Sequence, residues 1–218
     1  MGKSILFPLL LAFILFSCSK GTNNATTCNF IDFKYYNDAK YRLGELSTNY
    51  IMVSFDTNYS EIEMRKFVSS VTHFDQQYIY KFPYPKITAL KLNQTKTCEQ
   101  ITAILAELQK NPIVAYAHYT MTGDNCRYQM MPTLMKCVNS YADEFIVKVF
   151  DENNLTDLQK LMAETKTELV LKIANTPNRF ILKATKNSKA DALKMANYFY
   201  ESKLVKSAEP IMLSLPLE

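Results

Sequence analysis

The 218-residue sequence has no tryptophan, two histidines and only four glycines. The glycines stand apart, so no glycine-rich loop is available to cradle a phosphate. No Gly-x-Ser-x-Gly turn presents a nucleophilic serine, and neither His73 nor His118 stands in a motif that would supply a base to a nucleophile. The sequence therefore predicts a protein that is not an enzyme and has no catalytic residues.

Charge is nearly balanced, with 25 Lys and Arg against 21 Asp and Glu and a formal net charge of +4. The lysines are scattered among the acidic residues and form no basic stripe. Nucleic acid is therefore not an indicated partner. The sequence also contains no motif for a small-molecule cofactor, and none is predicted.

One long apolar run is present, at residues 5–16, and it lies at the N-terminus behind Lys3. Twelve apolar residues are too few to cross a bilayer as a helix, but they suit the apolar part of a signal peptide. The next residues, Leu15-Phe16-Ser17-Cys18, resemble a bacterial lipobox. We therefore expect a signal peptide at 1–17, a lipid on Cys18 and a polar tether at 18–29. An ordinary secretory signal with a chance cysteine is the alternative.

The lipid implies a bacterial cell-envelope protein, held to a membrane and most simply the outer membrane. The residues after Cys18, Ser-Lys-Gly-Thr, include no acidic run of the kind associated with surface-exported lipoproteins. This favours the periplasmic face over the cell surface.

Four further cysteines fall in the mature chain, and an even number in an exported protein suggests disulfides. Four cysteines allow three pairings. Cys126 and Cys137 are the closest pair in sequence and are the first expected bond, with Cys28–Cys98 as its companion. Their spacings do not match a zinc site, so no metal is predicted.

The most informative pattern is a repeat. Apolar residues alternate at 51–55, as in a half-buried strand, and a capped amphipathic helix follows from Ser60. Strand-like stretches at 78–82 and 87–92 come next, then a second helix capped by Thr97 and a strand at 113–121. The same order begins again at Glu144.

The order β-α-β-β-α-β, found twice, predicts an α+β fold of two tandem ferredoxin-like units, each an antiparallel sheet with two helices on one face. The predicted boundaries are 30–121 for a short β-hairpin and the first unit, 122–143 for a linker, and 144–218 for the second unit and its tail.

Two stretches resemble a known family. The stretch at 186–210, KNSKADALKMANYFYESKLVKSAEP, is similar to the end of the N-terminal pro-region of subtilisin-like (S8) serine peptidases of Bacteroides and relatives. The stretch at 33–43, FKYYNDAKYRL, resembles the aromatic hairpin before the first repeat of that region. The resemblance covers about 30–214, and the sequence does not contain the peptidase domain that would follow. It therefore implies the part that folds and inhibits the enzyme.

By this resemblance, the expected partner is a subtilisin-type serine peptidase. The chain would dock through the outer face of a sheet and lay its C-terminal tail into the substrate cleft. The predicted contact residues are those of the leucine-rich end, Leu213, Leu215, Pro216, Leu217 and Glu218. The alternative is an envelope lipoprotein that acts as a protein-binding or adhesion module and has no peptidase partner.

Overall fold

Alternating apolar strands and amphipathic helices form two units in the computed structural model, which describes residues 26–122 and 136–217. The helices are α1 (Glu61–Ser70), α2 (Cys98–Leu108), α3 (Thr156–Thr165) and α4 (Ala192–Glu201). The strands are β1 (Phe33–Tyr36), β2 (Ala39–Arg42), β3 (Glu45–Phe55), β4 (Ile87–Lys91), β5 (Val114–Thr122), β6 (Cys137–Lys148), β7 (Glu168–Lys172), β8 (Arg179–Lys183) and β9 (Ser207–Pro216).

The second unit is a complete ferredoxin-like βαββαβ unit. Its strands lie antiparallel in the order β9-β6-β8-β7, and α3 and α4 cover one face. The first unit has the order β4-β3-β5 with α1 and α2 on one face. The predicted fold class, α+β with two tandem ferredoxin-like units and a hairpin, is confirmed.

The two helices of the first unit start where the sequence placed their caps. Ser60 and Thr97 each form a capping box, with Glu63 and Gln100 returning a side-chain contact to the cap backbone. These reciprocal bonds satisfy backbone N–H groups that have no partner inside a helix. The last helix is capped by Asp191, whose carboxylate accepts from the Lys194 backbone N–H at 3.0 Å.

Each unit has its own apolar core between sheet and helices. In the first, alternate residues of β3, such as Val53 and Phe55, pack against Met64 of α1 and Ile101 of α2. In the second, Phe145 of β6 packs with residues of α3 and α4 in the same way. The period-2 and period-3.6 patterns of the sequence correspond to these two cores.

The predicted strand at 78–82 is wrong. Only isolated bridges form in this part of the first unit, so its sheet has three strands. The aromatic alternation that suggested a strand has another cause: Tyr80 is buried in the core, and the Phe82 ring lies 6.1 Å from that of Phe55. The segment still covers the edge of β4, because the Thr88 hydroxyl donates to the Lys81 carbonyl at 2.6 Å.

The predicted linker is also shorter than expected at its C-terminal end. β6 begins at Cys137, inside the stretch 122–143, and its first half runs beside both β5 and β9. Met121 of β5 pairs with Asn139 of β6, and this joins the two units into one seven-stranded sheet.

The hairpin of β1 and β2 turns at Asn37 and Asp38, which both have positive φ, as a two-residue type I′ turn requires. It packs on the second unit. The rings of Tyr35 and Tyr200 stack at 4.2 Å, and the Asn197 amide donates to the Phe33 carbonyl at 3.1 Å. Within 26–122 and 136–217, no helix has both the length and the apolar content needed to cross a bilayer.

Candidate functional site

The part of the sheet in the first unit is called here the first sheet, and the part in the second unit the second sheet. The helices cover one face of each, and the two opposite faces, called here the outer faces, differ. On the first sheet, Met52 and Ala89 lie on the outer face and are almost fully buried. The cover comes from the chain itself, since the ends of β6 and β9 pack on this face through Val138, Leu213, Leu215 and Leu217. The first outer face is therefore closed by an intramolecular contact.

This contact changes the interpretation of the C-terminal residues. The sequence placed them in a tail beyond the last strand, but β9 continues to Pro216. Leu215 is fully buried, and Leu213 and Leu217 are each 8% exposed. These leucines pack in the chain's own core, so the prediction of a free tail beyond the last strand is wrong, whereas their contact with a partner stays a prediction. Glu218 lies outside the described residues.

Strand pairing and two hydrogen bonds hold the end of β9 in place. Leu215 pairs with Val138 in the β6–β9 ladder, and the Leu217 backbone N–H donates to the Lys136 carbonyl at 2.9 Å. The Tyr78 hydroxyl, from the first unit, donates to the Leu217 carbonyl. Because Tyr78 belongs to the first unit and β9 to the second, this hydrogen bond joins the two units.

The outer face of the second sheet has no such cover among the described residues. Ile146 of β6 and Ile181 of β8 are direct cross-strand partners and are half-buried, and Leu171 of β7 pairs with Ile181 and is 45% exposed. None of the three belongs to the apolar clusters that the described residues form. They make an apolar row across three strands, called here the apolar row.

Charged residues flank the apolar row on both sides. On one side Glu144 of β6 pairs with Lys183 of β8, and the Lys183 ammonium also lies 3.0 Å from the Asp143 carboxylate. Burial and the nearby Asp143 charge raise the pKa of Glu144. On the other side Lys148 and Arg179 face each other across the same two strands. An apolar centre with a charged rim is the arrangement typical of protein interfaces.

The sequence contained a signal for this row, although it was not used. In each strand the residues that alternate with the core positions should be polar if they face water. Ile146 and Ile181 occupy such outward positions between core residues. Apolar residues at the outward positions of two paired strands, where polar residues are expected, indicate a face that is covered or that binds a partner.

The two histidines lie in different surroundings. His73 is on the surface, with Nε2 3.3 Å from the Glu107 carboxylate. His118 is buried, its ring stacks on Tyr141 at 4.3 Å, and Nδ1 donates to the Tyr141 carbonyl at 2.8 Å. The Arg65 guanidinium donates a hydrogen bond to the Glu61 carboxylate along α1. In the same part of the chain, no three His, Cys, Asp or Glu side chains are grouped to hold a metal ion.

The surroundings of His118 make stability depend on pH. Burial lowers its pKa, and this outweighs the carboxylates of Asp191 and Asp143 and the bond to the Tyr141 carbonyl, which favour the charged form. A lowered pKa means that the unfolded chain takes up this proton at higher pH than the folded one. The stabilisation is therefore complete above the unfolded value of about 6.5 and is lost as pH falls below it.

We expect His118→Gln to flatten this dependence, because glutamine keeps a donor for the Tyr141 carbonyl and does not titrate. Urea unfolding of both proteins at several pH values between about 8 and 5 would measure it. The wild-type free energy of unfolding should fall below pH 6.5 more steeply than that of the variant. Parallel pH curves for the two proteins would contradict the assignment.

The predicted disulfides can be compared with the structure at Cys28, Cys98 and Cys137. Cys28 and Cys98 form a disulfide with a Cα–Cα distance of 5.2 Å, which confirms the companion pairing. Cys137 is disulfide-bonded. The partner predicted for it, Cys126, lies outside the described residues, as does the predicted lipidation site, Cys18.

Comparison with known proteins gives little further information. No protein-family profile matches the chain, and no curated protein matches it. Among solved structures, a crystal structure described as that of a candidate glycine cleavage system transcriptional repressor aligns with 75% of this chain and 95% of its own, at 11% sequence identity and a TM-score of 0.21. At this TM-score the alignment carries no argument about either fold or function.

Proposed function

We propose that this chain is a non-enzymatic protein-binding module of the cell envelope, and that it docks its partner on the outer face of the second sheet. The apolar row of Leu171, Ile181 and Ile146 is the observation that supports this most strongly. The corresponding face of the first sheet carries Met52 and is buried by apolar groups of the chain itself. The second face offers a similar surface to another protein.

The proposed partner class is a subtilisin-type serine peptidase, with the chain acting as an inhibitor or folding partner. The support is the resemblance of 186–210 to the S8 pro-region, which implies docking through a sheet face. The burial of Leu215 and Leu217 argues for the sheet face alone, since these side chains could enter a substrate cleft only if the end of β9 left its place. A lipid on Cys18 would hold the module at the membrane, and the mass of the N-terminal peptide tests that proposal.

Substitution of the most exposed residue of the apolar row tests the docking surface. Leu171→Glu puts a charge where an apolar contact is expected, and it should weaken binding by on the order of tenfold or more, because a carboxylate is costly to bury without a partner. Its matched control is Ile62→Glu, on α1 of the first unit, where the side chain is 80% exposed. Ile62→Glu should leave binding unchanged.

The measurement is a titration of the subtilisin-type peptidase from the same organism, following both its activity and its recovery from the denatured state. Equal affinity of the Leu171→Glu and wild-type chains would overturn the docking surface. No effect of the wild-type chain on the activity or the refolding of the enzyme would overturn the peptidase as partner. The alternative hypothesis, a protein-binding module with another partner, would then require an envelope protein that binds the Ile62→Glu chain but not the Leu171→Glu chain.

A further inference from the structure

A cleft of about 580 Å³ lies between the β1–β2 hairpin and the end of the second sheet, beside the apolar row. One wall is the hairpin with Tyr36, and the other is formed by the ends of β6, β8 and β9. Tyr36 and Phe150 line it with rings that are 49% and 64% exposed. Two large aromatic groups in water beside a concave surface are available for contact with a ligand.

Four cations line this cleft, at Lys148, Arg179, Lys203 and Lys206. Lys148 and Arg179 are direct cross-strand partners on the outer face. Like charges in that position destabilise a sheet, whereas the other charged pair on the same face of these strands, Glu144 and Lys183, has opposite signs. The chain thus keeps a repulsive pair where β6 and β8 border the cleft.

The acidic residues of the cleft are already engaged. Asp38 accepts from the Tyr200 hydroxyl at 3.0 Å, and Glu209 forms an ion pair with Lys34 at 2.7 Å. No residue of 26–122 or 136–217 provides a carboxylate partner for Lys148 or Arg179. Four cations against these two carboxylates leave the described lining of the cleft with a net positive charge.

We infer that the cleft binds an acidic segment of a protein partner, through the carboxylates of Asp or Glu residues. The inference rests on the proposed function, because the cleft adjoins the surface where the partner would dock. Arg179 is two residues from Ile181 in β8, and Lys148 is two residues from Ile146 in β6. Two residues along a strand span about 7 Å, which is also the repeat of an extended peptide.

An extended segment in which apolar and acidic residues stand two positions apart can therefore put an apolar side chain on the apolar row and an acidic one in the cleft. Lys and Arg bind carboxylates by charge-assisted hydrogen bonds, and Arg179 can bind one with two parallel bonds. The continuity with an apolar protein-docking face favours a peptide segment over an acidic polysaccharide. The polysaccharide is included as an outcome of the test.

The test uses the full mature chain with its disulfides intact and a fluorescein-labelled hexaglutamate peptide, with binding followed by fluorescence anisotropy at about 0.05 M and 0.15 M salt. The variant is Lys148→Glu/Arg179→Glu. The matched control is Lys66→Glu/Lys81→Glu, which changes the net charge equally at exposed positions of the first unit. We expect the cleft variant to weaken binding by on the order of tenfold or more, and the control to weaken it less than about twofold.

Equal losses in the two variants would show attraction to overall charge only and overturn the inference. So would wild-type protein that does not bind hexaglutamate, or that binds polygalacturonate instead. The cleft variant replaces one like-charged pair by another, so its free energy of unfolding should change little, and urea unfolding of the variant separates loss of binding from loss of fold. Hexaglutamate has no apolar side chain for Leu171, so a failure here leaves the result of Leu171→Glu with the protein partner standing.

Discussion

Leu215→Asp is expected to destabilise the protein by about 4 kcal/mol or more, enough to unfold much of it. The side chain is fully buried in the cluster that joins β9 to the outer face of the first sheet. The substitution removes an apolar group from that cluster and buries a carboxylate there without a partner, and each change costs several kcal/mol. Stabilities of natural domains are only about 5–15 kcal/mol. Urea unfolding followed by circular dichroism would measure the loss.

Leu171→Asp is the matched control, because the same exchange at a side chain that is 45% exposed should cost less than about 1 kcal/mol. Two further outcomes separate the structural role of the C-terminus from an inhibitory one. If Leu215→Asp unfolds as the wild type does and loses affinity for a peptidase, the leucine is a contact residue and its burial in β9 is wrong. If stability and affinity fall together, it acts through the fold.

The elements that sequence reasoning found are those whose signals are local. Ser60 with Glu63, and Thr97 with Gln100, place a helix start within four residues of chain, and both capping boxes form. A repeat of such signals also gives the topology, because few arrangements of βαββαβ are physically allowed. The strand at 78–82 failed because alternating aromatic residues can pack into a core from a coil as well as from a strand.

The relation between the two units could not be predicted in the same way. It depends on pairings between distant residues, such as Met121 with Asn139 and Val138 with Leu215. No local pattern specifies which strand continues into which sheet. Pro216 is accepted within β9, because proline is tolerated in an edge strand, and β9 is one.

The candidate binding surface follows from this asymmetry. In both units the helices cover one face of the strands and leave an outer face, and the chain closes only the first with its own β6 and β9. At the outward position of the first unit that corresponds to Lys148 stands Ser54, which is buried. The closed face thus holds a small polar side chain where the open face holds a large cationic one, and this difference supports the proposed binding surface.

Removal of the Cys28–Cys98 disulfide is expected to cost about 4 kcal/mol. The bond joins residues 70 apart in sequence, and in the chain-entropy account a loop of that length gives roughly this stabilisation by restricting the unfolded chain. The loop contains the hairpin, β3, α1 and β4, so much of the first unit is enclosed. Cys28→Ala/Cys98→Ala should lower the urea midpoint accordingly under oxidising conditions.

A comparison under reducing conditions isolates the bond from the side chains. Cys98 is half-buried beside the first core, so alanine also removes some packing there. With reductant, the wild-type protein loses this disulfide and that of Cys137, and the double variant loses only the latter. If the loss in the variant comes from the cross-link, the two proteins should differ by less than about 1 kcal/mol when both are reduced. A difference that persists undiminished in reductant would assign the effect to packing around Cys98 and would refute the cross-link as its source.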